Sequence, residues 1–152
     1  MPNQSLHQLK IMIVETKALD ILVLQDMLSA EGYAHHKGLT DVTLMLELFH
    51  RYQPDLVVLE IEKTAPGIDQ KNNEIPLLRQ MRNAIEQTDY RPILALLSQD
   101  EPSFKRRVLQ QGATDLLIKP LDHTDAMLRV SNLLRARLFH LQRQFRTTET
   151  KA

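Results

Sequence analysis

The stretch GATDLLIKP, residues 112–120, joins the end of one predicted helix to a complete predicted strand. Gly112 follows a segment of helical periodicity, and glycine often ends a helix in the left-handed conformation. Asp115–Ile118 is apolar after its first residue, which is typical of a parallel strand covered on both faces. Lys119 and Pro120 follow directly. The stretch therefore predicts a helix that leads into a buried parallel strand, with a lysine at the strand's carboxyl end.

The same alternation of apolar runs and helical segments extends from this stretch back towards the N-terminus. Four more strands are predicted, at residues 10–14, 33–37, 55–59 and 92–97, and residues 33–37 are the least apolar and are expected at a sheet edge. Helices are predicted at residues 18–31, 40–52, 73–87, from 100 to 112 and from 122 onwards. Five βα units with right-handed crossovers predict an α/β fold. Its sheet is a doubly wound, five-stranded parallel (βα)5 sheet of flavodoxin-like type, with an extended C-terminal helix.

Length and composition limit the organisation of the chain. Its 152 residues suffice for one domain with a core and are too few for two ordinary domains. We expect a flexible N-terminus at residues 1–8, a domain at residues 9–137, and a helical extension, linker or coiled-coil stalk at residues 138–152. Nineteen basic residues balance nineteen acidic ones, so net charge favours neither a nucleic-acid nor a membrane partner. There is no cysteine and no run near the ~20 apolar residues of a membrane span, so we expect a cytoplasmic protein.

Functional side chains are expected at one edge of this sheet. In doubly wound sheets, ligands bind beyond the carboxyl ends of the strands. The residues at those ends are Glu15, Thr16, Glu60, Leu97, Ser98, Lys119 and Pro120.

Four stretches in fixed order carry a resemblance to a known family. They are KIMIVET (residues 10–16), PDLVVLEI (54–61, followed by Pro66 and Gly67), RPILALLS (91–98) and QQGATDLLIKP (110–120). Over about residues 9–140 the chain resembles the receiver domain of two-component response regulators. The resemblance implies transfer of a phosphoryl group from a histidine kinase to an aspartate, assisted by a magnesium ion.

The acidic positions of that family are altered in this chain. The family's acidic pair after the first strand is matched by Glu15 and Thr16, and its phospho-acceptor aspartate by Glu60. Magnesium requires near-ideal octahedral oxygen geometry, so loss of one carboxylate and lengthening of another weaken the site. The extra methylene of Glu60 moves the nucleophile by roughly 1.5 Å, and misplacement by about 1 Å costs ~100-fold. We expect no cofactor; any magnesium ion would be held by Glu15 and Glu60.

The switch positions are altered as well. Leu97 matches the family's Thr or Ser at the end of the fourth strand, and Ser98, one residue later, faces the opposite way. Leu116 matches the family's aromatic residue in the fifth strand. Lys119 and Pro120 keep the family pattern, which implies a cis peptide between them.

These substitutions favour a degenerate receiver without enzymatic activity, a signalling module that works independently of phosphorylation through protein contacts or dimerisation. Glu60 is expected to pair with Lys119. Two alternatives stay open. One is a receiver that is still phosphorylated, at Glu60 or at a relocated acceptor such as Asp69, which lies in a polar run at residues 69–74. The other is a small flavodoxin-like protein that binds a cofactor.

The C-terminal segment carries a separate signal. From Ala126 to Thr148 it contains no acidic residue and five arginines. The apolar spacing of Leu134, Leu138, Leu141 and Phe145 matches a coiled-coil seam, which predicts a stalk for a homodimer or a fused effector. RVSNLLRAR, residues 129–137, resembles the last helix of receivers fused to cyclic-di-GMP enzymes. The alternative is an overlong amphipathic helix. Without a recognition motif the arginines argue for a protein partner rather than nucleic acid.

Overall fold

The computed structural model of the protein describes residues 5–63 and 75–151. Its five strands form one parallel sheet in the order β2-β1-β3-β4-β5. The strands are β1 Ile11–Val14, β2 His36–Leu39, β3 Leu56–Glu60, β4 Ile93–Leu97 and β5 Asp115–Ile118. The predicted five-stranded parallel fold is therefore confirmed.

Five α-helices alternate with the strands. They are α1 Ala18–Ala30, α2 Met45–Tyr52, α3 Pro76–Ala84, α4 Pro102–Gln110 and α5 His123–Lys151. Two short 3-10 turns, Leu6–Gln8 and Val42–Leu44, precede β1 and α2. Among the described helices, none combines the length and apolarity that crossing a membrane requires.

Each face of the sheet is covered by a separate apolar layer. Alternate residues of a strand point to opposite faces, so Met12 contacts the layer under α2, α3 and α4, whereas Ile13 contacts the layer under α1 and α5. The central strands β1, β3 and β4 are buried at every position. This double coverage explains why these strands read as continuous apolar runs.

The edge strand lies later than predicted. It begins at His36 and ends at Leu39, whereas residues 33–37 were expected. Tyr33 belongs instead to the end of α1, because its backbone N–H donates to the Leu28 carbonyl oxygen at 2.9 Å. Its ring is buried and packs on His7 with the ring centroids 4.9 Å apart. An apolar residue that closes a helix was thus mistaken for the start of a strand.

Two helix boundaries also differ from the prediction. Asp41, rather than Thr40, caps the turn before α2, and its carboxylate accepts from the Thr43 N–H at 3.0 Å. The third helix occupies Pro76–Ala84 instead of residues 73–87, and it ends where the buried Ile85 adopts an extended conformation. Asn73, the expected cap of that helix, lies outside the described residues.

The leucines of the predicted seam serve the domain's own core. Leu134 is fully buried, and Leu138 and Leu141 pack against the same apolar layer as α1. Phe145 is exposed. The seam of Leu134, Leu138, Leu141 and Phe145 is therefore not available as a continuous surface for a second chain, and contacts with the domain continue beyond residue 137.

Candidate functional site

Four charged side chains meet at the carboxyl edge of the sheet. Lys119 follows β5, and its Nζ lies 2.6 Å from Glu15 Oε2 and 2.7 Å from Glu60 Oε2. Glu15 follows β1, and Glu60 is the last residue of β3. Asp20, in the first turn of α1, places its Oδ2 3.1 Å from the same Nζ. One ammonium group therefore contacts three carboxylates.

Both carboxylate oxygens of Glu60 are occupied. Oε2 accepts from Lys119 Nζ, which is the pair expected from the sequence. Oε1 accepts from Thr16 Oγ1 at 2.6 Å and from the Thr16 backbone N–H at 3.5 Å. Glu60 is only 7% exposed. The residue at the acceptor position is thus held by two neighbours and largely shielded from solvent.

Glu15 is held mainly by charge. It is 1% exposed, and its Oε1 accepts only a long 3.4 Å hydrogen bond from the Lys17 backbone N–H. The 2.6 Å contact between its Oε2 and Lys119 is close enough for an ion pair, but its angles are not those of a hydrogen bond. Glu15 therefore depends on the positive charge of Lys119.

Lys119 remains positively charged in this setting. Burial alone would lower its pKa, but hydrogen bonds and charges from Glu60 and Asp20 outweigh burial and raise the pKa above its usual value. The peptide bond from Lys119 to Pro120 is cis, as the family resemblance implied.

Asp20 is the site residue that the sequence analysis missed. A weak signal was present, since an acidic residue in the first turn of a helix interacts favourably with the helix dipole. The helix that follows β1 also begins at the carboxyl edge of the sheet. Which way the first turn of that helix faces, however, depends on how α1 packs, and apolar spacing left this open.

Three carboxylates of the site offer oxygens to a magnesium ion, but Lys119 contacts all of them. Oxygens of Glu15, Asp20 and Glu60 lie within 4.8 Å of one another, which is a suitable donor set. The lysine ammonium already lies within 3.1 Å of all three. Binding of a divalent ion here would require the Lys119 ammonium to move away from these carboxylates.

The switch positions are apolar and packed. Leu97 is fully buried in the layer that contains Phe104, and Leu116 is half-buried against the same layer. Ser98 is exposed beyond the end of β4, where it lines a cavity of about 110 Å³. Across this cavity Lys63 Nζ lies 2.5 Å from Glu101 Oε2 and joins the segment after β3 to the loop before α4. Pro66, Asp69 and the polar run at residues 69–74 lie outside the described residues.

Comparisons with known proteins bear on the family and the fold of the chain. No protein-family model matches the chain. The phosphate regulon transcriptional regulatory protein PhoB of Rhizobium meliloti (strain 1021) is 32% identical over 126 residues, covering 83% of this chain and 52% of PhoB. The chain thus spans about half the length of the curated relative it matches.

Solved structures with similar folds include a putative response regulator from Chloroflexus aurantiacus J-10-fl. It is 26% identical with a TM-score of 0.68, covering 84% of this chain and 98% of that one. A putative two-component system response regulator/GGDEF domain protein is 21% identical with a TM-score of 0.70, covering 86% of this chain and 51% of that one. The second likeness concerns the fold alone.

Proposed function

The chain contains a receiver domain of the response-regulator family of two-component systems, and on this premise we propose that it signals without phosphoryl transfer. In this proposal the receiver is degenerate. It acts through contacts with other proteins. Its site keeps a single conformation.

The observation that carries the proposal is the full engagement of Glu60. To attack a phosphorus atom, a carboxylate oxygen must have a free lone pair directed at the incoming group. Glu60 Oε1 is bonded to Thr16 and Oε2 to Lys119, and the side chain is buried. Both bonds hold the carboxylate in place, and burial limits the access of a phosphodonor to its remaining lone pairs.

The surroundings support a single conformation. A hydroxyl at position 97 could bind a newly formed phosphoryl group, but the buried Leu97 offers no donor. The pair between Lys63 and Glu101 also ties the neighbouring loop to the end of β3. Neither feature supplies a group that would respond to a change at Glu60.

Incubation with acetyl phosphate and magnesium, followed by intact mass measurement, tests the proposal. We expect no gain in mass for the natural chain. The double variant Thr16→Asp with Glu60→Asp restores the carboxylates of the family pattern and serves as the positive control. A stable gain of one phosphoryl group on the natural chain that disappears in Glu60→Gln would overturn the proposal.

A second candidate function is a receiver that is still phosphorylated and controls a fused or partner effector. The cluster of Glu15, Asp20 and Glu60 around Lys119 favours it, because the resemblance places Glu15, Glu60 and Lys119 at positions of the family's chemistry. The same mass measurement separates the two candidates, and Asp69→Asn tests the relocated acceptor.

We further propose that the module is cytoplasmic and binds a protein partner, a fused effector or a second copy of itself. Exposed apolar side chains on α1 (Leu19, Leu22 and Val23) and Phe139 on α5 support protein contacts. Nucleic acid is less well supported, since Arg129 pairs with Asp115 at the surface and Arg137 pairs with the buried Asp55. Light scattering on the natural chain and on Phe139→Ser tests the dimer, and a monomer at every concentration would exclude it.

A further inference from the structure

A buried guanidinium joins helix α5 to the end of the sheet at which the strands begin, opposite the candidate functional site. Arg137 is 4% exposed, and its Nε donates to Asp55 Oδ1 at 3.0 Å. Its Nη1 donates to Asp89 Oδ1 at 2.5 Å and to the Tyr90 carbonyl oxygen at 2.9 Å. We name Arg137 and these three acceptors the Arg137 clasp.

The acceptors of the clasp are themselves fixed. Asp55 Oδ2 accepts from the Lys10 backbone N–H at 2.9 Å, so this carboxylate joins the segments that enter β1 and β3. Asp89 Oδ2 accepts from Arg91 Nε at 2.6 Å just before β4. The clasp therefore binds α5 to the beginnings of three neighbouring strands.

His140, one turn further along α5, adds a contact to the same group. Its Nε2 lies 3.1 Å from Asp89 Oδ1 and 3.2 Å from the Tyr90 backbone nitrogen. A single ring nitrogen either donates to the carboxylate or accepts from the N–H. Each protonation state of His140 therefore keeps one bond between α5 and the loop before β4.

Two open grooves flank this part of α5. A cavity of about 710 Å³ lies beside Tyr90, Phe139 and Arg143, and another of about 490 Å³ lies beside Ile85 and Leu141. Of the residues after Leu138, Leu141 packs on the apolar layer. The clasp therefore lies beside the last apolar contacts that α5 makes with the domain.

We propose that the Arg137 clasp is a positioning device that fixes the direction in which α5 leaves the domain. A protein partner or fused effector held by the α5 extension would take its orientation from these contacts. The chemistry suits this role, since buried ion pairs contribute little net stability but penalise arrangements that leave a charge unpaired. The planar guanidinium also fixes angles that a lysine ammonium would leave free.

A spin-label distance measurement tests the proposal. The chain has no cysteine, so Glu47→Cys on α2 and Gln142→Cys on α5 accept labels specifically. Dilution with unlabelled chain removes distances between copies. We expect a narrow distance distribution in the otherwise natural chain and a broader or displaced one in Arg137→Met. Amide exchange at residues 138–146 should become roughly tenfold faster or more.

The matched control is Arg135→Met, the same change at an exposed position on the same helix. It should leave both readouts unchanged. Arg137→Lys should give an intermediate distance distribution, since lysine keeps the charge but lacks the planar set of N–H donors of the guanidinium. Should Arg137→Met fail to fold, Asp89→Ala removes one acceptor and leaves the bond to Asp55. The proposal would be overturned if Arg137→Met, or Asp89→Ala where Arg137→Met does not fold, left both the distance distribution and the amide exchange rates unchanged.

Discussion

Lys119 supplies the positive charge at the centre of the candidate site. Its Nζ contacts Glu15, Asp20 and Glu60, and two of those carboxylates are almost fully buried. Removal of one partner of a buried ion pair costs more than the pair contributes, because the remaining charge is left unpaired. This makes Lys119 the side chain whose loss should affect the site most.

We expect Lys119→Met to lower the free energy of unfolding by about 3–5 kcal/mol, as for other broken buried ion pairs. Lys105→Met is the matched control, because Lys105 pairs with the exposed Asp100 and should cost less than about 1 kcal/mol. Urea unfolding of the three proteins measures both values. Equal losses in the two variants would contradict the central position of Lys119.

The sequence predicted part of this site for a clear physical reason. Glu15, Glu60 and Lys119 directly follow or end buried strands, and parallel strands bring their carboxyl ends to one edge. Asp20 was missed because its direction depends on the rotation of α1. The hydrogen bonds to both Glu60 oxygens could likewise not be predicted from the sequence, because they depend on the position of the Thr16 hydroxyl.

Helix α1 packs on the edge strand β2 at a glycine. An added methyl group at Gly38 would overlap Ile21 Cγ2, closer than van der Waals contact allows. We expect Gly38→Ala to lower the free energy of unfolding by about 1–3 kcal/mol through overpacking. In the background of Ile21→Ala the same substitution should cost less, and a double-mutant cycle from urea unfolding measures this coupling. Additive losses would contradict the packing described here.

Acid should weaken the attachment of α5 through Asp89. Burial raises the pKa of this carboxyl, but hydrogen bonds and charges from Arg91 and Arg137 outweigh burial and lower it below the usual range. His140 on α5 faces the same carboxylate. A group with a lowered pKa stabilises the fold above its unfolded pKa of about 3.9, and this contribution is lost as pH falls through the folded value.

Asp89→Asn should therefore be less stable than the natural chain at neutral pH, by about 1–3 kcal/mol. The difference should begin to shrink as pH falls below about 4, and it should close as pH falls through the lower pKa of the folded Asp89 carboxyl. Urea unfolding over this pH range measures it, with Asp100→Asn as the exposed control. A difference that stays constant down to acid pH would exclude a charge effect at Asp89.

Elements were predicted best where burial on both faces left a single interpretation. The buried strands β1, β3 and β4 are close to their predicted ranges, because a short apolar run in an alternating βα pattern fits little else. The strand β5 also matches its predicted range, but it is an edge strand in which only Leu117 is buried, not the buried strand that was expected. The bounds of the edge strand β2 and the role of the leucines on α5 were predicted less accurately. Tyr33 and Leu134 are apolar for contacts that spacing alone does not reveal, namely the end of α1 and the core beneath α5.

Among residues 5–63 and 75–151, two charged centres lie at opposite ends of the strands of the sheet. Lys119 joins β1, β3 and α1 at the carboxyl edge, whereas Arg137 joins α5 to the beginnings of β3 and β4. In the proposals made above, the first centre is fixed and the second orients the C-terminal helix. Together they describe a receiver that presents one shape to its partner.

Amide NMR spectra of the full chain, recorded with and without beryllium fluoride and magnesium, are the most direct test of whether the site around Glu60 is fixed. Beryllium fluoride mimics a phosphoryl group on a carboxylate, so a working site would bind it and rearrange. If the site of the natural chain is fixed, the resonances of residues 97–101, 116 and 119 stay unchanged, while Thr16→Asp with Glu60→Asp shows shifts. Saturable shifts at these positions in the natural chain would contradict a fixed site.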